Sequence, residues 1–146
     1  MLLEINNLSK SYKTLTAVKE VSLTLDAGEV LSIIGPSGSG KSTLLKLIAN
    51  LETPNEGEII ILGESTKDLD KVKKRSLYQQ MGFIFQDFAL FEHLTVKQNL
   101  ELAPRLVYQK DKTEIETETQ RLLNLVGLED KLNEYPFHLS GGQKQR

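Results

Sequence analysis

The stretch Leu31 to Leu45, LSIIGPSGSGKSTLL, constrains this chain more than any other part of it. An apolar run breaks into three glycines with two serines among them, then Lys41, Ser42, Thr43 and a second apolar run. Residues Gly35 to Ser42 match the pattern G-x-x-x-x-G-K-[ST] in full. Glycines without a Cβ let the backbone take unusual dihedrals and approach an anion closely. Successive amides from Gly38 to Thr43 then form a concave nest, and the loop feeds a helix whose N-terminus carries partial positive charge. Lys41 is placed to reach the β- and γ-phosphates, Ser42 to offer a hard oxygen to Mg²⁺, and Thr43 to assist at the α-phosphate. A plain strand-to-helix turn would use one or two glycines. It would not set a lysine at the helix start, where a cation opposes the dipole. The phosphate-binding candidates are therefore Gly35, Pro36, Ser37, Gly38, Ser39, Gly40, Lys41, Ser42 and Thr43.

The flanks of this loop set the fold class. Leu3, Ile5 and Leu8 predict a first strand. Val21, Leu23 and Leu25 alternate with Ser22 and Thr24 and predict a half-buried one. Val30 to Ile34 reads as a strand buried on both faces, with further strands at Glu58 to Leu62 and Met81 to Gln86. Helices are predicted after Lys41, over Leu69 to Gln80, and from Thr95 to Ala103, where Pro104 stops the last. A further helix has Ile115, Leu122 and Val126 on one face, Thr113 with Glu116 as its capping box, and Gly127 at its end. Alternating strands and helices make the chain α/β. Its 146 residues and net charge of −2 suit one compact domain and argue against a dedicated duplex-DNA or polybasic membrane binder. With no cysteine, disulfides and thiolate metal sites are excluded. No apolar run approaches the ~20 residues of a spanning helix, and MLLEINNLSK lacks the features of a secretory signal.

The remaining motifs select among phosphate-loop proteins. LSGGQKQR near the end resembles the signature motif of ABC ATPases, IFQD resembles their Q-loop, and SYKTLTAV their adenine-stacking loop. All three stand in the family's order and cover nearly the whole chain. The resemblance implies an α/β P-loop NTPase fold of ABC type: an antiparallel β subdomain, a RecA-like core and a helical subdomain. The C-terminal part of the core is expected to be missing. It implies a single nucleotide-binding domain over 1–146, divided into a β subdomain with phosphate-loop core (1–94) and a helical subdomain (95–146). Tyr12 would stack on adenine, with Val18 lining the same pocket. Gln86 would ligate Mg²⁺ or hold the attacking water, and Lys41 and Gln86 are the catalytic candidates. Ser140, Gly141, Gly142 and Gln143 would form a second anion site that caps the γ-phosphate held by another copy. ATP and Mg²⁺ are the implied cofactors, and a head-to-tail dimer the implied assembly.

Hydrolysis needs an acidic strand end and a water-orienting base. In the family both follow the signature, and the sequence stops first; His93 and His138 match neither. The chain therefore reads as cut short: able to bind phosphates, without turnover alone, and with an exposed apolar edge beside Val30 to Ile34. Phe88, Leu90, Phe91 and Leu94 form an apolar loop, where the resemblance places a coupling helix of a membrane subunit. FEHLTVKQNLELAP looks most like the ATP-binding subunits of bacterial polar amino-acid importers, although Ala89 and Glu92 depart from their usual asparagine and proline. The expected partners are a second ATP-binding subunit, permease subunits and a solute-binding protein, at the cytoplasmic face of the cell membrane, with no nucleic acid. The rivals are a soluble ABC ATPase of DNA repair or translation, an ABC exporter subunit, and a plain phosphate-loop kinase or GTPase. A GTPase would need an Asn-Lys-x-Asp segment, which the sequence lacks.

Overall fold

A computed structural model describes residues 1–146, which form two compact units, Met1–Phe83 and Ile84–Arg146. The first unit is built on a four-stranded antiparallel sheet: β1 (Leu3–Tyr12), β2 (Leu15–Leu25), β3 (Glu56–Ile61) and β4 (Glu64–Ser65), in the order β2-β1-β3-β4. The alternation read from the sequence holds along β2, where Val21, Leu23 and Leu25 are half-buried between exposed neighbours. In β1, strict alternation after Leu3 and Ile5 would turn Leu8 outward. An irregularity at Asn7, φ 49°, returns Leu8 to the core, where it is fully buried. Gly57 of β3 faces this bulge, and a Cβ there would lie 2.4 Å from the Asn7 carbonyl oxygen.

Two helices cover one face of the sheet. Helix α1 (Lys41–Ile48) buries Leu44 and Leu47, and α2 (Lys71–Tyr78) buries Leu77. These join Leu3, Ile5, Leu8, Val18, Ile59 and Ile61 in one core. Each fully buried leucine or isoleucine contributes about 1.5–3 kcal/mol. Asp70 caps α2 by accepting from the amides of Val72 and Lys73, both at 2.9 Å. The helix is thus shorter than the predicted Leu69 to Gln80.

The second unit holds α3 (Val96–Leu106), α4 (Lys112–Leu125) and α5 (Gly141–Gln145), with single 3₁₀ turns at Glu129–Lys131 and Pro136–His138. Its own core gathers Val96, Leu123, Leu128 and Leu139. Thr95 and Gln98 form a complete capping box at the start of α3.

Four expectations are corrected. Pro104 does not stop α3. It sits in the last turn, where its missing N–H removes one helical bond, and the amide of Val107 still reaches the Ala103 carbonyl at 2.8 Å. Helix α4 is capped by Asp111, which accepts from the Glu114 amide, and not by Thr113 with Glu116. Glu116 instead pairs with Lys97 of α3 at 3.4 Å. Val30 to Ile34 and Met81 to Gln86 join no ladder. A strand exists only against a partner, and neither segment meets one in this chain. Val30 and Ile34 are 93% and 91% exposed, so the predicted two-sided burial is absent, while the apolar exposure expected beside them is present.

Candidate functional site

The loop from Gly35 to Gly40 follows Val30 to Ile34 and enters α1 at Lys41. Gly38 and Gly40 have φ of +79° and +88°, a region that side chains penalise. At Gly40 a second constraint applies: a Cβ would stand 2.0 Å from the Ala17 carbonyl oxygen of β2 and 3.7 Å from Cγ2 of Val18. The loop thus lies flat on the sheet at this point. Val18 is 5% exposed and belongs to the core, so it shapes the floor beneath Gly40.

No side chain caps α1. The Ser39 amide turns onto the Pro36 carbonyl at 3.3 Å, and the helical ladder begins with the Leu44 amide on the Gly40 carbonyl. The amides of Lys41, Ser42 and Thr43 are therefore the first-turn donors of a helix left open to an external acceptor. The Lys41 ammonium folds back over the loop, donating to the carbonyls of Gly35 at 2.9 Å and Pro36 at 2.7 Å and to the Ser39 hydroxyl at 3.3 Å. All three of its protons have partners, and the loop is closed on itself. A polyphosphate would offer the same ammonium charged oxygens in place of neutral ones, a stronger class of bond. Ser37, Ser39 and Ser42 stand exposed around this nest, with Thr43 half-buried.

Tyr12 closes β1 beside the two-residue turn to β2 and is 40% exposed. Register places it opposite Leu15, while Lys10 pairs with Val18, so the hairpin that carries Tyr12 is the one on which Gly40 rests. The sequence missed Lys10 itself, whose ammonium lies 5.0 Å from the Tyr12 ring centroid.

In the second unit Gln86 is exposed in a turn, and not at the end of a strand as expected. The loop beyond it carries Phe88 and Ala89 at φ 64° and 49°. Its far end is tied by Asn99 of α3, which accepts from the Phe91 amide at 2.8 Å and donates to the carbonyls of Phe91, Leu94 and Thr95. Asn99 was not singled out from sequence; its only signal there is an amide within the first turn of a helix.

At the signature, Ser140 and Gln143 form a capping box: the Ser140 hydroxyl accepts from the Gln143 amide at 3.2 Å, and the Gln143 side chain accepts from the Ser140 amide at 2.8 Å. Gln143 thus has work within the chain that the sequence reading did not give it. Gly141 and Gly142 differ. Both are exposed, and a Cβ on either would meet nothing within 4 Å, so the chain's own packing does not require glycine there. The sequence-derived residues therefore collect as two sets. Tyr12, Val18 and Gly35 to Thr43 belong to the first unit, and Gln86 and Ser140 to Gln143 to the second. No cluster of three or more His, Cys, Asp or Glu side chains is present to hold a metal.

Comparison with known proteins places this geometry. A family model described as ABC transporter matches residues 18–146. The chain is 42% identical to the sulfate/thiosulfate import ATP-binding protein CysA of Synechocystis sp., over all of its own length and 39% of that protein. It is also 42% identical to the methionine import ATP-binding protein MetN 1 of Listeria monocytogenes, over 99% of itself and 44% of the relative. The chain thus spans less than half the length of these relatives. Among solved structures, the ATP-binding cassette MJ0796, a dimer in a post-hydrolysis state bound to ADP and phosphate, superposes with a TM-score of 0.88 at 37% identity. That match covers 98% of this chain and 65% of the cassette.

Proposed function

The chain belongs to the ABC transporter family, and from that premise we propose that it is the nucleotide-binding part of an importer's ATPase, coupling ATP binding and hydrolysis to solute uptake. The observation that carries this reading is the phosphate loop: a side-chain-free helix start, two left-handed glycines and an ammonium held at the loop's mouth.

The residues present fit a magnesium nucleotide. The nest of first-turn amides and Lys41 would hold the phosphates, with Gly35, Pro36, Ser37, Gly38, Ser39 and Gly40 shaping the loop and Thr43 at the α-phosphate. Ser42 presents a hard oxygen suited to Mg²⁺, which when bound would neutralise phosphate charge; Gln86 is proposed as a further ligand on the family premise alone. Lys41 offsets the negative charge that moves toward the leaving phosphate, and Gln86 orients water through its amide. Tyr12 would stack on adenine over the floor that Val18 supports.

Ser140, Gly141, Gly142 and Gln143 would face the nucleotide of a second ATP-binding subunit in a head-to-tail dimer. Two exposed glycines with open space above them are what a close approach from outside would use. The family premise adds permease subunits, a solute-binding protein and a place at the cytoplasmic face of the cell membrane. No helix here is long and apolar enough to cross a membrane. Within the domain, 1–94 would supply the β subdomain and phosphate-loop core, and 95–146 the helical subdomain. Amino-acid uptake is the finer reading, supported by FEHLTVKQNLELAP and compatible with a methionine-import relative.

The test is a pair of substitutions in the intact protein. Lys41→Ala is expected to abolish ATP turnover and uptake. Ser140→Arg is expected to leave ATP binding by one chain within about twofold while turnover falls at least tenfold, because the bulky cation blocks the paired arrangement. Undiminished turnover in Ser140→Arg would remove the signature from the mechanism, and undiminished nucleotide binding in Lys41→Ala would remove the phosphate loop.

A further inference from the structure

We propose that Lys10 is a positioning residue for the nucleotide base: it pins the Tyr12 ring, backing one face with a cation and leaving the other open to a purine. The proposal rests on the reading of Tyr12 as the base-stacking residue and adds what makes that ring a fixed platform.

A lysine near the end of a hairpin would ordinarily extend into water. The Lys10 side chain is only 13% exposed and is held from three directions. Its ammonium donates to the Thr53 carbonyl at 2.6 Å, pairs with a Glu52 carboxylate oxygen at 3.5 Å, and lies over the Tyr12 ring 5.0 Å from the centroid. Glu52 and Thr53 lie in the segment that leaves α1, the helix that begins at the phosphate loop. The same segment is stitched to β1 a second time. The Asn55 amide donates to the Ser9 carbonyl at 2.9 Å, and the Ser11 amide to the Asn55 side chain at 2.7 Å. Lys10 therefore ties the ring to the exit of the phosphate-binding helix.

Two physical effects follow. Tyr12 sits at a strand end, 40% exposed, where an untethered ring would sample several rotamers. A ring already fixed loses less freedom when a base stacks on it. The cation also satisfies the electron-rich face of the ring on one side only, so a stacking partner meets the opposite face. The carboxylate of Glu52 keeps the ammonium from acting as a free charge for phosphate. Its influence should then be felt through the base and not through the polyphosphate tail.

That separation gives the test. Affinities for ATP and for inorganic tripolyphosphate, both with Mg²⁺, are measured by calorimetry on the intact protein. Lys10→Met keeps the stem and removes the charge; it is expected to weaken ATP binding roughly three- to fivefold and leave tripolyphosphate unchanged. Lys10→Arg should restore ATP affinity. Tyr12→Leu should weaken ATP at least as much as Lys10→Met, again sparing tripolyphosphate. Should Lys10→Met fail to melt cooperatively, Lys10→Gln, which retains a donor for Thr53, is read in its place. ATP affinity unchanged or tighter in the lysine variant, with Tyr12→Leu weakened, overturns the role of Lys10 alone; the tighter result would mean that Lys10 occupies the face the base needs. A loss shared equally by ATP and tripolyphosphate would mean that Lys10 acts on the loop's fold and also overturns the proposal. Unchanged ATP affinity in Tyr12→Leu overturns the stacking role and this proposal together.

Discussion

A methyl group at position 40 would lie 2.0 Å from the Ala17 carbonyl oxygen, on backbone that has a φ of +88°. That oxygen belongs to the backbone and is not the far end of a flexible side chain, so relief requires the loop to lift off β2. Gly40→Ala should therefore cost about 2 kcal/mol or more of stability and abolish tripolyphosphate binding. Gly38→Ala meets nothing within 4 Å and bears only the dihedral strain, about 1 kcal/mol. Urea denaturation of the two variants separates them; equal losses would mean that the loop does not rest on the sheet. The motif itself was legible in the sequence because each residue's task is local. Lys10 was not, because its partners Glu52, Thr53 and Tyr12 come together only once β1 lies against the segment after α1. The same holds for Asn99, whose work is to bind four backbone groups of a neighbouring loop.

Elements were read correctly wherever the pattern was carried by the element's own residues. β1, the second half of β2, α1 and β3 stand close to where alternation and spacing put them. The misreadings share a cause. The T-x-x-E pattern favours Thr113 as a cap, but Asp111, two residues earlier, is the acceptor that the Glu114 amide reaches. Val30 to Ile34 has the composition of a strand, but composition does not provide the neighbour that makes one. Helix α2 supplies a prediction at this scale. Burial of Tyr78 raises its hydroxyl above the ordinary phenol range, and a bond with Thr66 pulls the other way without reversing it. The folded state thus holds the neutral form more firmly than the unfolded chain does. The stability this gives is intact below the unfolded phenol's pKa of about 10 and is lost as pH rises through the higher folded value. Tyr78→Phe should flatten the decline of the urea midpoint above about pH 10. Parallel declines in the two proteins would show that Tyr78 titrates freely.

At the scale of the molecule, two separate cores account for the folded units, and a third apolar population lies outside both. Val30, Ile34 and Ile84 are 93%, 91% and 95% exposed. Isolated apolar side chains are common on surfaces, but β-branched residues clustered on backbone that joins no ladder favour strand-to-strand association. The isolated 146-residue chain should therefore self-associate with rising concentration, as sedimentation velocity would show, and the double change Val30→Lys with Ile34→Lys should shift it toward monomer. A monomer at all concentrations would contradict this reading. The molecule's net charge of −2 gives an approaching anion no general attraction, so selectivity must arise at the loop. There the only ammonium is already occupied by the oxygens of Gly35, Pro36 and Ser39. A lone halide would have to displace those three contacts while returning one. A tail bearing many oxygens could exchange them one for one, so a loop closed in this way would favour visitors of high valency.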